Sequence, residues 1–151
     1  EISLGLVGSE MCIRDSVDTV ELRSVVCDPA PLMHLNLMTV KKEDLSFKTP
    51  FRLHVTRNDY VHAFLGWFDI GFEACHKPVR FSTGPHSRYT HWKQTVFYTP
   101  SNLTVSQGDV IEGTLSCMPN ARNNRDLDIS ITYKLEGANP AEGSMDYKMY
   151  V

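Results

Sequence analysis

The sequence lacks the features of several large protein classes. Its 151 residues contain no apolar run near the roughly 18 residues that a membrane-spanning helix requires. The charge is nearly balanced, with a formal net charge of −3 and a pI of about 6.1, so we expect neither membrane binding nor direct nucleic-acid binding. Phosphate-binding glycine loops and the GxSxG and HExxH motifs are missing as well. The length fits one globular domain.

Cysteine and alanine are scarce. The cysteines at positions 12, 27, 75 and 117 form no CxxC pair and no Cys/His cluster, so we predict no zinc site. The chain is long enough to bury a core without a disulfide framework, and we expect four reduced, mostly buried thiols. Val, Ile and Thr together number 30 against 6 Ala, a balance that disfavours long helices and favours strands.

Apolar and polar residues alternate with a period of two through much of the chain. Residues 51–55, 111–117, 127–135 and 145–151 show the pattern, which is typical of antiparallel strands with one buried face. Residues 127–136 are predicted to pair with residues 144–150 across a seven-residue loop, 137–143. Five side chains of the first strand are predicted to face inward: Leu127, Ile129, Ile131, Tyr133 and Leu135.

Irregular and helical segments are short. Residues 60–73 form a long apolar run in which Gly66 and Gly71 predict bulges or tight bends. A short apolar strand is predicted at residues 95–98, loops at 77–89 and 120–125, and single helical turns within 21–26 and 41–45. Together these predict a mainly β fold, an antiparallel β-barrel with little helix, over about residues 32–151.

The first 16 residues differ from the rest. They show neither strand nor helix periodicity, and they lack the basic region and apolar stretch of a signal peptide. Residues 3–16 resemble a translated sequencing-library adapter. We interpret residues 1–16 as a non-native or disordered tail, with a genuine flexible extension as the alternative, and residues 17–151 as a single β-barrel domain.

One segment combines a histidine, aromatic rings and positive charge. Of six histidines, His91 stands out because it lies between a long loop and the start of a strand, beside Trp92. The surrounding pattern fits either a nucleic-acid-binding face or a solvated loop, and the acidic background favours the loop. Its basic residues are Lys77, Arg80, Arg88 and Lys93, and its aromatic residues are Phe81, Tyr89 and Trp92.

Residues 89–98, YTHWKQTVFY, resemble the THW-loop segment of protein arginine methyltransferases. Further segments resemble the same family in collinear order: residues 40–51 (VKKEDLSFKTPF), 57–62 (RNDYVH), 75–77 (CHK), 81–83 (FST), 119–128 (PNARNNRDLD) and 146–149 (DYKM). The resemblance covers residues 17–151 and is greatest to type I enzymes, which make asymmetric dimethylarginine.

This resemblance implies the C-terminal barrel half of an enzyme. In that family an S-adenosylmethionine-binding Rossmann domain with two catalytic glutamates precedes the barrel. We therefore expect this chain alone to bind no S-adenosylmethionine and to be inactive. The resemblance further implies a homodimer in the parent enzyme, with a dimerisation arm that is absent here. It also implies arginine/glycine-rich protein substrates, among them histones and RNA-binding proteins, and a location in nucleus and cytoplasm.

The resemblance also assigns the site residues. It implies that His91 is a catalytic residue that pairs with an acidic residue of the Rossmann domain. It implies that Trp92 and Thr90 are substrate-binding, with Trp92 shaping the entrance for the substrate arginine. No cofactor-binding or metal-binding residue is assigned in this chain. The alternative function is a stand-alone β-barrel module that binds peptide or nucleic acid.

Overall fold

The computed structural model describes residues 2–7 and 16–150, and within them the fold is mainly β and antiparallel, as predicted. Two 3₁₀ turns, Leu22–Ser24 and Lys42–Leu45, occupy the two segments predicted to be helical. The strands of the described residues are β1 (Ile2–Val7), β2 (Ser16–Asp18), β3 (Ala30–Met33), β4 (Phe47–His54), β5 (Asp59–Phe72), β6 (Val79–Ser82), β7 (Gln94–Val105), β8 (Val110–Pro119), β9 (Leu127–Glu136) and β10 (Ala141–Met149).

The strands form two antiparallel sheets that pack as a barrel. One sheet has the order β2-β7-β5-β1-β3, with β6 paired to the far end of β5, and the other has the order β10-β9-β8-β4. The sheets meet where β3 contacts β4 and where β10 contacts β7. At the second contact the Tyr147 hydroxyl donates a hydrogen bond to the Tyr98 carbonyl. The barrel therefore begins before residue 32, because β1 and β2 belong to its larger sheet.

The predicted hairpin of β9 and β10 is confirmed, with a shorter loop. Ile131 pairs with Met145, and the buried face of β9 is the one predicted, although Leu127 is only half-buried. Ala141 already pairs with Leu135, so the connection is residues 137–140 rather than 137–143. The loop is shorter because backbone pairing in β10 begins at Ala141, before residue 145, where the alternating pattern begins.

The pairing of β5 with β7 contains a bulge at which the single residue His62 of β5 lies opposite residues 99–102 of β7. The prediction of a bulge at Gly66 or Gly71 is wrong, because both residues pair without a register shift. Pairing between β5 and β7 shifts register between Val61 and Ala63, and the His62 carbonyl accepts a hydrogen bond from Thr99 Oγ1 at 2.9 Å. The additional residues belong to β7, and the alternation of β5 reverses across the bulge, because Val61 and Phe64 share one face while Ala63 and Leu65 share the other.

The bulge gives β5 two apolar faces. Val61 and Phe64 belong to the main core, which also contains the inward side chains of β4, β8 and β9. Ala63, Leu65 and Trp67 lie on the other face, where they pack with Val96. Val20, Val25 and Tyr98 cover this second cluster, so the segment that follows β2 packs on the outer face of the larger sheet.

Aromatic residues and glycines alternate across the smaller sheet. Phe51, Gly113, Tyr133 and Gly143 pair in one row from β4 to β10. The rings of Phe51 and Tyr133 lie 5.6 Å and 5.4 Å from the ring of Phe64 across the core. A Cβ atom on Gly113 would collide with the Phe51 ring, and one on Gly143 would lie 2.6 Å from the Tyr133 hydroxyl. The row therefore needs glycine at both positions.

Three predicted segments differ from the structure. Residues 1–16 were expected to lack regular structure, yet Ile2–Val7 pairs with both β5 and β3. The expectation that this segment lacks strand periodicity missed the apolar residues at every second position, 2, 4 and 6. Residues 8–15 lie outside the described residues, and a non-native origin for residues 1–16 stays a prediction. The predicted loop 77–89 contains β6, and β7 extends far beyond residues 95–98.

Candidate functional site

The residues assigned to the site form a tight turn, residues 90–93, directly before β7. The Lys93 backbone N–H donates to the Thr90 carbonyl at 3.1 Å, and Lys93 has a φ of 54°, which is uncommon for a residue other than glycine. His91 and Trp92 occupy the middle of the turn and are both exposed. Thr90 is half-buried, and its Oγ1 is buried with no hydrogen-bond partner among the described residues. The structure thus brings all three predicted residues together.

Trp92 lies on a platform of aromatic rings. Its ring stacks on Phe81 of β6 with centroids 5.8 Å apart and an interplanar angle of 23°, and it meets Phe68 of β5 edge-on at 6.0 Å. The ring of His91 lies 4.0 Å from that of Trp92. Trp92 remains 48% exposed, so part of its ring faces solvent. An exposed aromatic face of this kind can stack with a planar guanidinium.

Two buried polar side chains support the turn from below. Gln94, the first residue of β7, donates from Nε2 to the Thr83 carbonyl at 2.5 Å and accepts at Oε1 from the Val20 N–H at 2.8 Å. Thr83 is tied to Phe68, because its N–H and its hydroxyl each donate to the Phe68 carbonyl at 3.0 Å. The Phe68 N–H in turn donates to Thr83 Oγ1 at 3.1 Å.

No role in the site was predicted for Phe68, Thr83 or Gln94, and Phe81 was predicted only as part of the basic and aromatic segment. Gln94 carried one usable signal, since it is in phase with Val96 and Tyr98 on a strand of period two. A polar residue in phase with buried residues must find hydrogen-bond partners. Nothing in the sequence identifies those partners, because Val20 is 74 residues away and Thr83 is separated from Gln94 by the turn itself.

Other candidate sites are less well formed. Among the basic residues near the turn, Arg80 forms an ion pair with Glu73, the residue that follows β5. A cleft of about 210 Å³ lies beside β2, and its lining includes the acidic residues Asp18 and Glu21. In the described part of the chain, no group of three or more His, Cys, Asp or Glu side chains is placed to hold a metal ion. Within the same residues, no helix has the length and apolar character needed to cross a bilayer.

The described cysteines are free thiols in two environments. Cys27 and Cys117 are buried, as predicted, whereas Cys75 is exposed at the end of the hairpin formed by β5 and β6. Burial raises the pKa of the Cys27 thiol to about 12, with a further contribution from the nearby Asp28 carboxylate. Burial also raises the pKa of Cys117. Cys12 lies outside the described residues.

Comparisons with known proteins agree on one family. The family described as "Arginine methyltransferase oligomerization subdomain" matches residues 6–138. "Protein arginine N-methyltransferase 1" of Schizosaccharomyces pombe is 53% identical over 137 residues, which cover 88% of this chain and 40% of that protein. The protein of the same name from Chlamydomonas reinhardtii is 46% identical over 134 residues, covering 88% of this chain and 39% of that protein.

Solved structures show the same fold. A Trypanosoma brucei structure, described as a PRMT1 enzyme-prozyme heterotetrameric complex with AdoHcy, superposes with a TM-score of 0.93 at 32% identity. The alignment covers 99% of this chain and 55% of that one. Arabidopsis thaliana protein arginine methyltransferase 10 has a TM-score of 0.85 at 18% identity over 91% of this chain and 42% of its own, which supports the fold alone. The chain spans about 40% of the length of the curated relatives it matches. It belongs to the protein arginine methyltransferase family and corresponds to that family's C-terminal barrel subdomain.

Proposed function

We propose that this chain is the barrel part of a type I, S-adenosylmethionine-dependent enzyme that methylates arginine side chains of proteins. The observation that carries the proposal is the turn of Thr90, His91 and Trp92, which stands exposed on an aromatic platform in a chain of this family. The proposed substrates are arginine/glycine-rich segments, such as those of histones and RNA-binding proteins.

The turn would form one wall of the substrate groove. Trp92 offers an exposed ring face on which the planar guanidinium of a substrate arginine can stack, with Thr90 beside it. His91 is exposed next to that ring, where it can pair with a carboxylate from the facing domain and so fix the geometry of the groove. Carboxylates of the facing domain would hold the guanidinium through paired hydrogen bonds.

The described residues do not fit the methyl donor. S-adenosylmethionine supplies the electrophilic methyl group when it is bound to the enzyme. Pockets for ligands of this size usually occupy about 300–1,000 Å³, whereas the cleft beside β2 has about 210 Å³. Two acidic residues, Asp18 and Glu21, are among those that line the cleft, and their negative charge does not favour the carboxylate of the donor. We therefore infer that the donor binds to a Rossmann domain outside this chain.

Assembly and location are part of the same proposal. The family description names an oligomerization subdomain, and the Trypanosoma brucei relative is described as a heterotetramer. We infer that the parent enzyme of this barrel is a homodimer and that it acts in nucleus and cytoplasm. Sedimentation of the full-length enzyme and imaging of a tagged copy test these two points.

A chimera tests the proposed function. This chain replaces the matching segment of the Schizosaccharomyces pombe relative, and methylation of an arginine/glycine-rich peptide is measured. We expect activity in the chimera, and we expect His91→Ala to lower kcat about 10²- to 10⁴-fold, the usual cost of losing a group that assists proton transfer. Trp92→Ala should mainly raise the KM of the peptide, because it removes a binding surface.

The matched control is His54→Ala, because His54 is exposed on β4, in the smaller sheet. We expect this variant to retain the kcat of the unmodified chimera. The competing interpretation is that His91 only stabilises the barrel. In that case His91→Ala would lower the melting temperature of this chain by about 4 °C or more, near 1 kcal/mol, and leave the kcat measured at low temperature unchanged. That result would remove His91 from the site.

A further inference from the structure

We propose that Gln94 is a positioning residue that holds the turn of His91 and Trp92 in its reactive orientation. The inference rests on the proposed function, because it concerns the geometry that His91 needs in that reaction. Gln94 is 7% exposed and follows the turn directly, so it acts through its neighbours rather than on the substrate. Its side chain links the turn to two other segments of the chain.

The first support is that Gln94 is buried and hydrogen-bonded at both ends of its amide. Only Thr83, Gln94 and Asp109 are buried polar or charged residues in the described part of the chain, and two of these three lie below the turn. The Gln94 amide uses both ends, donating to the Thr83 carbonyl at 2.5 Å and accepting from the Val20 N–H at 2.8 Å. An apolar residue would avoid the cost of burying an amide, so the amide is best explained by the fixed geometry that its two bonds impose.

The second support is that the network continues into the aromatic platform. Thr83, itself 1% exposed, exchanges hydrogen bonds with the backbone N–H and carbonyl of Phe68. Phe68 and Phe81 are the two rings on which Trp92 rests. Gln94 is therefore connected both to the base of the platform and to the start of β7, and it fixes the distance between them.

The third support is the backbone of Lys93. Its φ of 54° places it in the left-handed region, which costs energy for a residue with a Cβ atom. Such conformations persist where the surrounding structure fixes the residues on both sides. On one side Trp92 is stacked on Phe81, and on the other side Gln94 is held by its two hydrogen bonds.

The test compares Gln94→Leu with Gln107→Leu, a control in the exposed connection between β7 and β8. In the full-length enzyme that carries this barrel, we expect Gln94→Leu to lower kcat about 10- to 100-fold, since small displacements of catalytic groups have effects of this size. The affinity for S-adenosylmethionine should not change. In the full 151-residue chain, acrylamide quenching of tryptophan fluorescence should increase. It reports Trp92, because Trp67 is buried. The control should change neither quantity.

A second variant covers the case in which Gln94→Leu does not fold. Gln94→Glu keeps the side-chain length and the acceptor for the Val20 N–H, but as a carboxylate it cannot donate to the Thr83 carbonyl. We expect kcat to fall and acrylamide quenching to increase, as for Gln94→Leu, but both changes should be smaller. A folded variant with unchanged kcat and unchanged quenching would overturn the proposal, even if its melting temperature fell. His91→Ala is measured in parallel: an unchanged kcat there refutes the proposed function, while the quenching result still decides whether Gln94 orients the turn.

Discussion

Individual cysteines differ in reactivity because the thiolate is the nucleophile and burial disfavours it. We expect iodoacetamide at pH 8 to alkylate Cys75 readily and to leave Cys27 and Cys117 unmodified in the folded chain, since burial raises both of their pKa values. The measurement is intact-mass spectrometry on a Cys12→Ser background. Urea should make all three thiols reactive, and labelling of Cys27 in the folded chain would contradict its buried position.

Asp59, at the start of β5, holds together the turn between β4 and β5. The Tyr60 N–H donates to its Oδ1 at 2.8 Å, and Arg57 donates to its Oδ2 at 3.0 Å; these bonds hold the Asp59 pKa below its usual value. Arg57 also donates to the carbonyls of Val25 at 3.2 Å and Arg23 at 2.7 Å. The carboxylate thus orients a guanidinium that fixes the preceding 3₁₀ turn to the barrel.

A lowered pKa gives Asp59 a pH-dependent role. Its contribution is present above the unfolded-state pKa of about 4 and is lost as the pH falls through the folded-state pKa. Because both side chains of the pair are about 40% exposed, we expect Asp59→Asn to lower the free energy of unfolding by only about 0.5 kcal/mol at pH 7. Urea denaturation at pH 7 and pH 3 checks this. The difference should shrink at pH 3, and Asp146→Asn, on the exposed face of β10, is the control.

At the scale of the strands, the sequence predicted those with one buried face and misjudged those shaped by distant partners. The period of two located β4, β8, β9 and β10 because each has the core on one side and solvent on the other. β5 does not follow the pattern, since residues 63–67 are covered on one face by Val20 and Val25, and the bulge at His62 is formed with residues 99–102 of β7. A short edge strand such as β6 leaves little pattern in the sequence.

Only part of the candidate site could be predicted from the sequence. The turn of Thr90, His91 and Trp92 was identified from its resemblance to a family, and the structure places the three residues together. Gln94 and Thr83 were missed, because their hydrogen bonds join segments that only the folded chain brings together. Long-range pairing of polar groups leaves no periodic signal along the chain.

Substitutions on the two faces of β9 test which side of the strand faces the core. Ile131 is fully buried between β8 and β10, so Ile131→Asp would place a carboxylate in the core without a partner. Losing the buried side chain alone costs roughly 1.5–3 kcal/mol, and the buried charge adds to that. We expect the variant to be unfolded or nearly so by circular dichroism at 25 °C. Thr132→Asp, on the exposed face of the same strand, should keep a cooperative transition; if it is the more damaging change, the register of β9 is inverted.

For the whole molecule, we expect neither S-adenosylmethionine binding nor methyltransferase activity from this chain alone. Because the cleft beside β2 does not fit the methyl donor, we expect calorimetric titration of S-adenosylmethionine into this chain to give no saturable heat, and we expect no methylation of an arginine-rich peptide. The full-length enzyme serves as the positive control. Binding tighter than about 1 mM, some −4 kcal/mol, would show that this chain contains a donor site of its own.

The row of Phe51, Gly113, Tyr133 and Gly143 also restricts how this barrel can evolve. A Cβ atom on Gly113 would lie 2.2 Å from the Thr132 backbone carbonyl, so no smaller residue at Phe51 makes room for it. The closest contacts of a Cβ atom on Gly143 would all be with the Tyr133 side chain, so a larger residue there is compatible with a smaller one at Tyr133. Either change made first passes through an ancestor with a collision or a void beside Phe64, each costing on the order of 1–5 kcal/mol. Gly113 should therefore be the same in homologues, and homologues that differ at Gly143 should also differ at Tyr133.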